Sequence, residues 1–254
     1  MPVPLLNAIQ QAVNLVNKAS HLVIFTGAGL STPSGIPDFR SHQTGLWEKD
    51  DPMVVASLTT FHHRPDVFYR WLRPLARDIW DAQPNPAHLG LAQLEKTGMV
   101  KAVLTQNIDY LHQRAGSMRV SELHGSLETF SCPTCSRVFE AAFIKNRVLN
   151  EDAPPVCDHC HSIIKPDITL FEEMLPVNTW MEAERQSQLC DLMIVLGSSL
   201  TVYPAAHLPA IALENNARLI LINLTSTPLD SRADVLIPND VAQTVPILVN
   251  ALLN

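Results

Sequence analysis

His124 is followed by Gly125 and stands a few residues ahead of the knuckle Cys132-x-x-Cys135. Imidazole titrates closest to neutral pH, so a histidine beside a glycine at a segment junction is a candidate general base; the commoner role of a lone histidine is structural. A second group is the run 27–40, Gly-Ala-Gly-Leu-Ser-Thr-Pro-Ser-Gly-Ile-Pro-Asp-Phe-Arg, which holds three of the nine glycines. Glycine lets a backbone come close to a ligand, and successive amides supply partial positive charge, the combination that receives a pyrophosphate. Gly-x-Gly also makes ordinary tight turns, and Gly35 falls too late for a Gly-x-Gly-x-x-Gly fingerprint. The hydroxyls of Ser31 and Thr32 and the trio Asp38-Phe39-Arg40 are what suit the stretch to a nucleotide.

Three further polar clusters follow apolar runs. Thr105-Gln106-Asn107-Ile108-Asp109 carries amides and a carboxylate fit to bind a ribose or a carboxamide, although Asn107 and Asp109 suit helix capping equally. Gly197-Ser198-Ser199 and Asn223-Leu224 end two more apolar runs. The knuckles Cys132-x-x-Cys135 and Cys157-x-x-Cys160, about twenty residues apart, have the spacing of tetrahedral thiolate coordination of zinc, the alternatives being a redox pair or disulfides. Four thiolates make a closed, structural site, so His159 and His161 read as solvated neighbours. Cys190 reads as a core thiol.

These groups need a scaffold. Apolar runs at 22–25, 102–104, 192–196, 219–224 and 235–237 read as short buried strands separated by helical patterns. Met1 to Ser20 has Leu5, Ile9, Ala12, Val13 and Val16 on one side of a helix. Asn85-Pro86 reads as an N-cap with proline in the first turn, and Gly98 as the stop. A stripe from Val67 to Trp80 is helical with a kink at Pro74. Alternation of strand and helix gives an α/β fold with a doubly wound, mostly parallel sheet, whose ligands bind beyond the carboxyl ends of its strands. Segments 41–82 and 127–167 break the alternation and are read as insertions forming a smaller domain. The 254 residues, 46% apolar and 17% charged, describe an ordered globular chain. Net charge is −7, which disfavours a broad grip on nucleic acid. The N-terminus lacks the basic start of a secretory signal. Glycines, serines and prolines interrupt the uncharged stretch 192–213, so neither it nor any other run reads as a membrane span, and the expected location is the cytoplasm.

Taken in order, GAGLSTPSGIPDFR at 27–40, TQNID at 105–109, His124-Gly125, the four cysteines, GSSLTVYPAA at 197–206 and Ile222-Asn223-Leu224 resemble the sirtuin family, the NAD-dependent protein lysine deacylases. The pieces span nearly the whole chain and look most like compact bacterial or archaeal members. The resemblance implies a Rossmann-like domain at 1–40, 83–126 and 168–254, and a small domain of helical insert and zinc ribbon at 41–82 and 127–167. It implies NAD, consumed as co-substrate, one structural zinc on Cys132, Cys135, Cys157 and Cys160, and acylated lysine of a protein as partner; it leaves oligomeric state unspecified. Ala28, Gly29, Ser31, Thr32, Phe39 and Arg40 would line the cofactor loop. Gln106, Asn107, Ile108 and Asp109 would hold nicotinamide and its ribose, and Ser198, Ser199, Asn223, Asp240 and Val241 the adenosine end. His124 would be the catalytic base, with Asn107 beside it. The products would be nicotinamide, O-acetyl-ADP-ribose and free lysine. The alternatives are protein mono-ADP-ribosyl transfer and a non-catalytic NAD or ADP-ribose binder.

Two departures concern the substrate. Relatives that prefer acidic acyl groups carry Tyr with Arg three residues later; here Tyr69 is followed at that distance by Leu72, with Arg73 one further, which favours acetyl or another neutral acyl. Where the family usually has Phe-Gly-Glu this chain has Phe171-Glu172-Glu173, and Thr169 replaces an aliphatic residue. A free carboxylate at Glu172 would bias the peptide toward basic flanking residues.

Overall fold

The computed structural model describes residues 3–38, 50–150 and 152–253. Its strands are β1 (Leu22–Thr26), β2 (Val100–Thr105), β3 (Val120–Glu122), β4 (Gly125–Ser131), β5 (Val138–Glu140), β6 (Lys165–Ile168), β7 (Leu192–Leu196), β8 (Arg218–Ile222) and β9 (Val235–Ile237). Its helices are α1 (Val3–Val16), α2 (Pro52–Val55), α3 (Leu58–His63), α4 (Pro65–Asp81), α5 (Pro86–Lys96), α6 (Leu111–Arg114), α7 (Ala141–Asn150), α8 (Val177–Leu189), α9 (Leu208–Glu214) and α10 (Val241–Leu253).

The larger sheet has the order β3-β2-β1-β7-β8-β9 with every pairing parallel. Both its faces are buried because side chains alternate between two cores. Leu22, Ile24, Ile194 and Ile220 meet α1, α5 and α10, whereas Val23, Phe25, Val195 and Leu221 meet α8 and α9. That is why the strands are continuous apolar runs. The chain winds outward on one side through β2 and β3 and on the other through β8 and β9, so the switch point lies between β1 and β7.

A second sheet, β5-β4-β6, is antiparallel and covers 125–168. A third core unites both interrupting segments: Phe61, Phe68, Leu72 and Ile79 of the helical one pack with Leu127, Phe130, Ile144 and Ile164 of the cysteine-bearing one. The sheet begins at Gly125, whose φ of 72° is left-handed and whose Cβ, if present, would lie 2.0 Å from Asp167 O. Only glycine lets β4 start this close to β6. Helix α4 continues through Pro74 without a break. Asn85 caps α5 by accepting from Ala87 N, while its own N–H donates to His88 Nδ1. Among the described residues no helix is long and apolar enough to cross a membrane.

Candidate active site

The parallel register brings four strand ends to one level, and hydrogen bonding continues past them. Gly27 N donates to Leu196 O, Gln106 N to Thr26 O, Gly197 N to Ile222 O and Asn223 N to Ile237 O. Beyond this row, between the two sheets, lies a cleft of about 540 Å³. At the switch point two glycine segments touch: Gly29 N donates to Gly197 O at 2.9 Å. A Cβ on Gly197, whose φ is 59°, would sit 2.5 Å from Leu30 N, and one on Gly29 would sit 2.9 Å from Gly197 Cα. The glycine loop then makes two tight 3-10 turns, Ala28–Leu30 and Thr32–Ser34. Asn85 Nδ2, on the cap of α5, supports it by donating to Leu30 O and Ser34 Oγ.

Of the residues the sequence pointed to, Ala28, Gly29, Thr32, Gln106, Asn107 and Ile108 line the cleft, as do His124, Ser198, Ser199, Asn223, Asp240 and Val241. Phe39 and Arg40 lie outside the described residues. Ser31 and Asp109 sit buried behind the wall. Ser31 Oγ donates to Asp109 Oδ2 at 2.6 Å, and Asn107 Nδ2 donates to Ser31 Oγ and Gly27 O. The two amide hydrogens of Asn107 are thus held by the loop, which leaves Oδ1 as its accepting atom. Asp109 also accepts from Leu111 N, so the capping role and the loop-holding role coincide. Burial pushes its carboxyl up, while these donors hold it down. Across the cleft floor Gln106 Nε2 donates to Ser198 Oγ. Asp240 caps α10 by accepting from Ala242 N.

His124 lies between β3 and β4, where Leu123 N donates to Thr105 O. Its Nδ1 is 2.9 Å from Gln106 O. A carbonyl only accepts, so this contact places the ring proton on Nδ1 and leaves Nε2 with a lone pair. Burial lowers the imidazole pKa, with the Gln106 carbonyl working against it. The ring is neutral at pH 7, the form a general base needs.

The opposite wall comes from the helical insert and from β6 with the segment after it; the sequence pointed to Thr169, Phe171, Glu172 and Glu173 there but not to its apolar helical part. Trp71 and Leu75 of α4, one turn apart, line the cleft beside Ala56, Ile168 and Leu170; their helical spacing reads simply as core. Tyr69 and Leu72 are fully buried away from it. Tyr69 Oη donates to Ile164 O, and the Arg73 guanidinium donates to the carbonyls of Val148, Asp152 and Ala153. Neither Arg73 nor any other lysine or arginine among the described residues lines the cleft. Thr169 N donates to His124 O at 2.8 Å. Glu172 is exposed, and its Oε2 accepts from Thr59 N at 2.8 Å. A buried network that sequence reasoning missed lies under the strand ends, where Thr26 Oγ1 donates to Thr105 Oγ1 and contacts His112 Nε2 at 3.0 Å.

All four knuckle cysteines are free thiols, and their Sγ atoms lie within 4.8 Å of one another. The pairs Cys132/Cys160 and Cys135/Cys157 stand 3.3 and 3.7 Å apart, too far for disulfides and suited to four sulfurs around one zinc. Both knuckles are the same turn: Ser136 N donates to Cys132 O and His161 N to Cys157 O, with Ser136 and His161 left-handed. His159 and His161 are exposed, and Cys190 is buried with its thiol pushed up to about 12 by burial.

A model described as the Sir2 family matches residues 27–204. The chain is 44% identical over 243 residues to an NAD-dependent protein deacylase 2 of Archaeoglobus fulgidus, covering 95% of this chain and 94% of that protein. It is 42% identical to an NAD-dependent protein deacetylase of Thermotoga maritima, covering 92% and 94%. A Sir2 structure with a deacetylated p53 peptide and 3'-O-acetyl ADP ribose superimposes with a TM-score of 0.91 at 40% identity, covering 96% of this chain and 98% of that one.

Proposed function

The chain belongs to the Sir2 family, and from that premise we propose how its own residues carry the reaction. It is an NAD-dependent protein deacetylase, acting on acetyl-lysine and yielding nicotinamide, O-acetyl-ADP-ribose and free lysine. The single observation carrying the assignment of roles is His124 in the cleft wall, with Nδ1 on Gln106 O.

In the proposed arrangement NAD crosses the strand ends at the switch point. The Gly27–Gly29 turn receives the pyrophosphate, with Ala28, Thr32, Phe39 and Arg40 along the loop. Gln106, Asn107 and Ile108 hold the nicotinamide end, Asn107 presenting Oδ1; Asp109 and Ser31 act one layer behind by fixing that amide. Ser198, Ser199, Asn223, Asp240 and Val241 take the adenosine end. NAD supplies a glycosidic bond that breaks with nicotinamide leaving as a neutral molecule, and the acyl oxygen of the substrate takes the anomeric carbon. His124 Nε2 then removes a ribose hydroxyl proton, so that oxygen attacks the acyl carbon; water completes acyl transfer to the sugar and frees the lysine. Cys132, Cys135, Cys157 and Cys160 would hold zinc, which shapes the small sheet and leaves no open position for catalysis. We divide the chain into an NAD-binding domain (1–40, 83–126, 168–254) and a small domain (41–82, 127–167); most of the third core falls in the second set, with Ile36, Leu111, Ile168 and Leu170 joining it from the first. The thiolate set suits a reducing compartment, and the proposed location is the cytoplasm. The apolar wall of Trp71, Leu75 and Ile168 favours acetyl or another neutral acyl.

The test is nicotinamide release from NAD with acetyl-, succinyl- and longer-acyl-lysine peptides, comparing the parent with His124→Ala. Release with neutral acyl peptides and its collapse in the variant is the expected result. Label from NAD appearing on unmodified protein would turn the reading to ADP-ribosyl transfer, and no release with any peptide would turn it to a sensor.

A further inference from the structure

Helix α3 is capped by a segment far away in sequence. Its N-terminal amides must find acceptors, and two find them on the substrate-side wall of the cleft: Leu58 N donates to Phe171 O at 3.0 Å and Thr59 N to Glu172 Oε2 at 2.8 Å. Thr60 N is served locally by Ser57 Oγ. In return Phe171 N donates to Ala56 O. Glu172 itself has φ 77°, a left-handed conformation that glycine adopts freely and glutamate only at a cost. Its side chain is engaged in return, the Thr59 hydroxyl and amide holding its carboxyl below the usual range. The neighbouring Glu173 ties the same turn inward, accepting from Leu170 N and pairing with Lys165 at 2.9 Å. At the other end Thr169 N is bound to His124 O.

We propose that Glu172 is a positioning residue for the acyl-peptide: its carboxylate latches the wall segment 169–173 onto α3, fixing the backbone that the substrate meets between that latch and His124. This rests on the deacetylase reading of the cleft. The group matters as a hydrogen-bond acceptor, not as a charge offered to the peptide.

Two variants separate these roles. Glu172→Gly keeps the backbone angle and removes the latch; Glu172→Gln removes the charge and keeps an acceptor for Thr59 N. In nicotinamide-release kinetics, Glu172→Gly is expected to raise the peptide KM roughly fivefold, the effect of losing one capping bond, with kcat and the KM for NAD within about twofold of the parent. Glu172→Gln is expected to match the parent, with peptides of basic and acidic flanks alike. Amide hydrogen exchange, read without activity, should quicken at Thr59 in Glu172→Gly only. An unchanged or lower peptide KM in Glu172→Gly, a Gln variant that behaves like Gly, or unaltered exchange at Thr59 would each overturn the latch. A parent that releases no nicotinamide would instead sink the deacetylase reading, with Thr59 exchange still reporting on the latch.

Discussion

At the scale of single residues, the role proposed for His124 depends on which of its nitrogens carries the proton. Gln106 O fixes that at Nδ1, and burial lowers the ring's pKa below the ordinary 6.5. In the proposed mechanism the base is the neutral ring, so activity should be full above the pKa and fall as pH drops through it. We expect kcat/KM for acetyl-peptide to be flat from pH 7 upward, with its acid limb below 6.5; a limb centred above 7 would mean that another group is the base. His124→Ala should lower deacetylation by about 10²–10⁴-fold, the usual worth of a positioned base. The residues lining the cleft were largely legible because strand-end glycines, amides and hydroxyls are out of place in a sheet core. Ser31 and Asp109 were legible as polar but not as lying behind the cleft wall, because their place beneath Asn107 is a fact of packing between segments 78 residues apart.

At the scale of elements, what could be read was set by burial. β1, β7 and β8 are almost wholly buried, so their sequences are unbroken apolar runs. β3 is half-buried throughout and β4 mostly so, and neither leaves an apolar signature. Glu122, at the end of β3, shows why such an edge is worth testing. Burial raises its carboxyl to about 7, with Asp109 and Glu128 adding to the rise and Gln113 and Ser126 opposing it. A carboxyl whose folded pKa exceeds its unfolded one favours the native state at low pH and costs stability as pH climbs from about 4.5 to 7. Glu122→Gln should therefore raise Tm relative to the parent at pH 8, with the gain shrinking toward pH 5; a gain independent of pH would contradict the linkage. The small sheet supplies a second test. It draws its strands together around four thiols, so metal binding and its folding are coupled. Zinc content should be about one ion per chain, and either a strong chelator or Cys157→Ser should open amides of 125–168 to exchange while β1, β7 and β8 stay protected by their own cores. Activity should vanish with the metal although none of the four cysteines lines the cleft, because β4 begins at the residue after His124. Protection of 125–168 that survives metal removal would show that the core of Phe130, Ile144 and Ile164 suffices.

At the scale of the molecule, the cleft has walls from both sheets, so a ligand filling it should hold them together. Gly27, Gln106 and Ser198 stand at the strand ends of the parallel sheet, whereas Trp71 comes from the helical insert, Ile168 from the last strand of the small sheet and Phe171 from the segment that follows it. The chain crosses between the two repeatedly, before α2, after α4, after His124 and after β6. Such an arrangement predicts that binding across the cleft is felt by the whole fold. ADP-ribose at a hundred times its Kd should add about 2.7 kcal/mol to native stability. For a chain of this length that corresponds to a rise in Tm of roughly 5–10 °C. The shift should appear equally in a probe of the parallel sheet and in a probe of the small unit, such as exchange at Leu127. Asn107→Ala should reduce it, because the amide that binds Gly27 O and Ser31 Oγ shapes the pocket before any ligand arrives. If ADP-ribose protected only the parallel sheet, NAD would be held by that sheet alone. The apposition of His124 to the sugar would then have to come from the peptide, making substrate order, peptide before NAD, the determinant of catalysis.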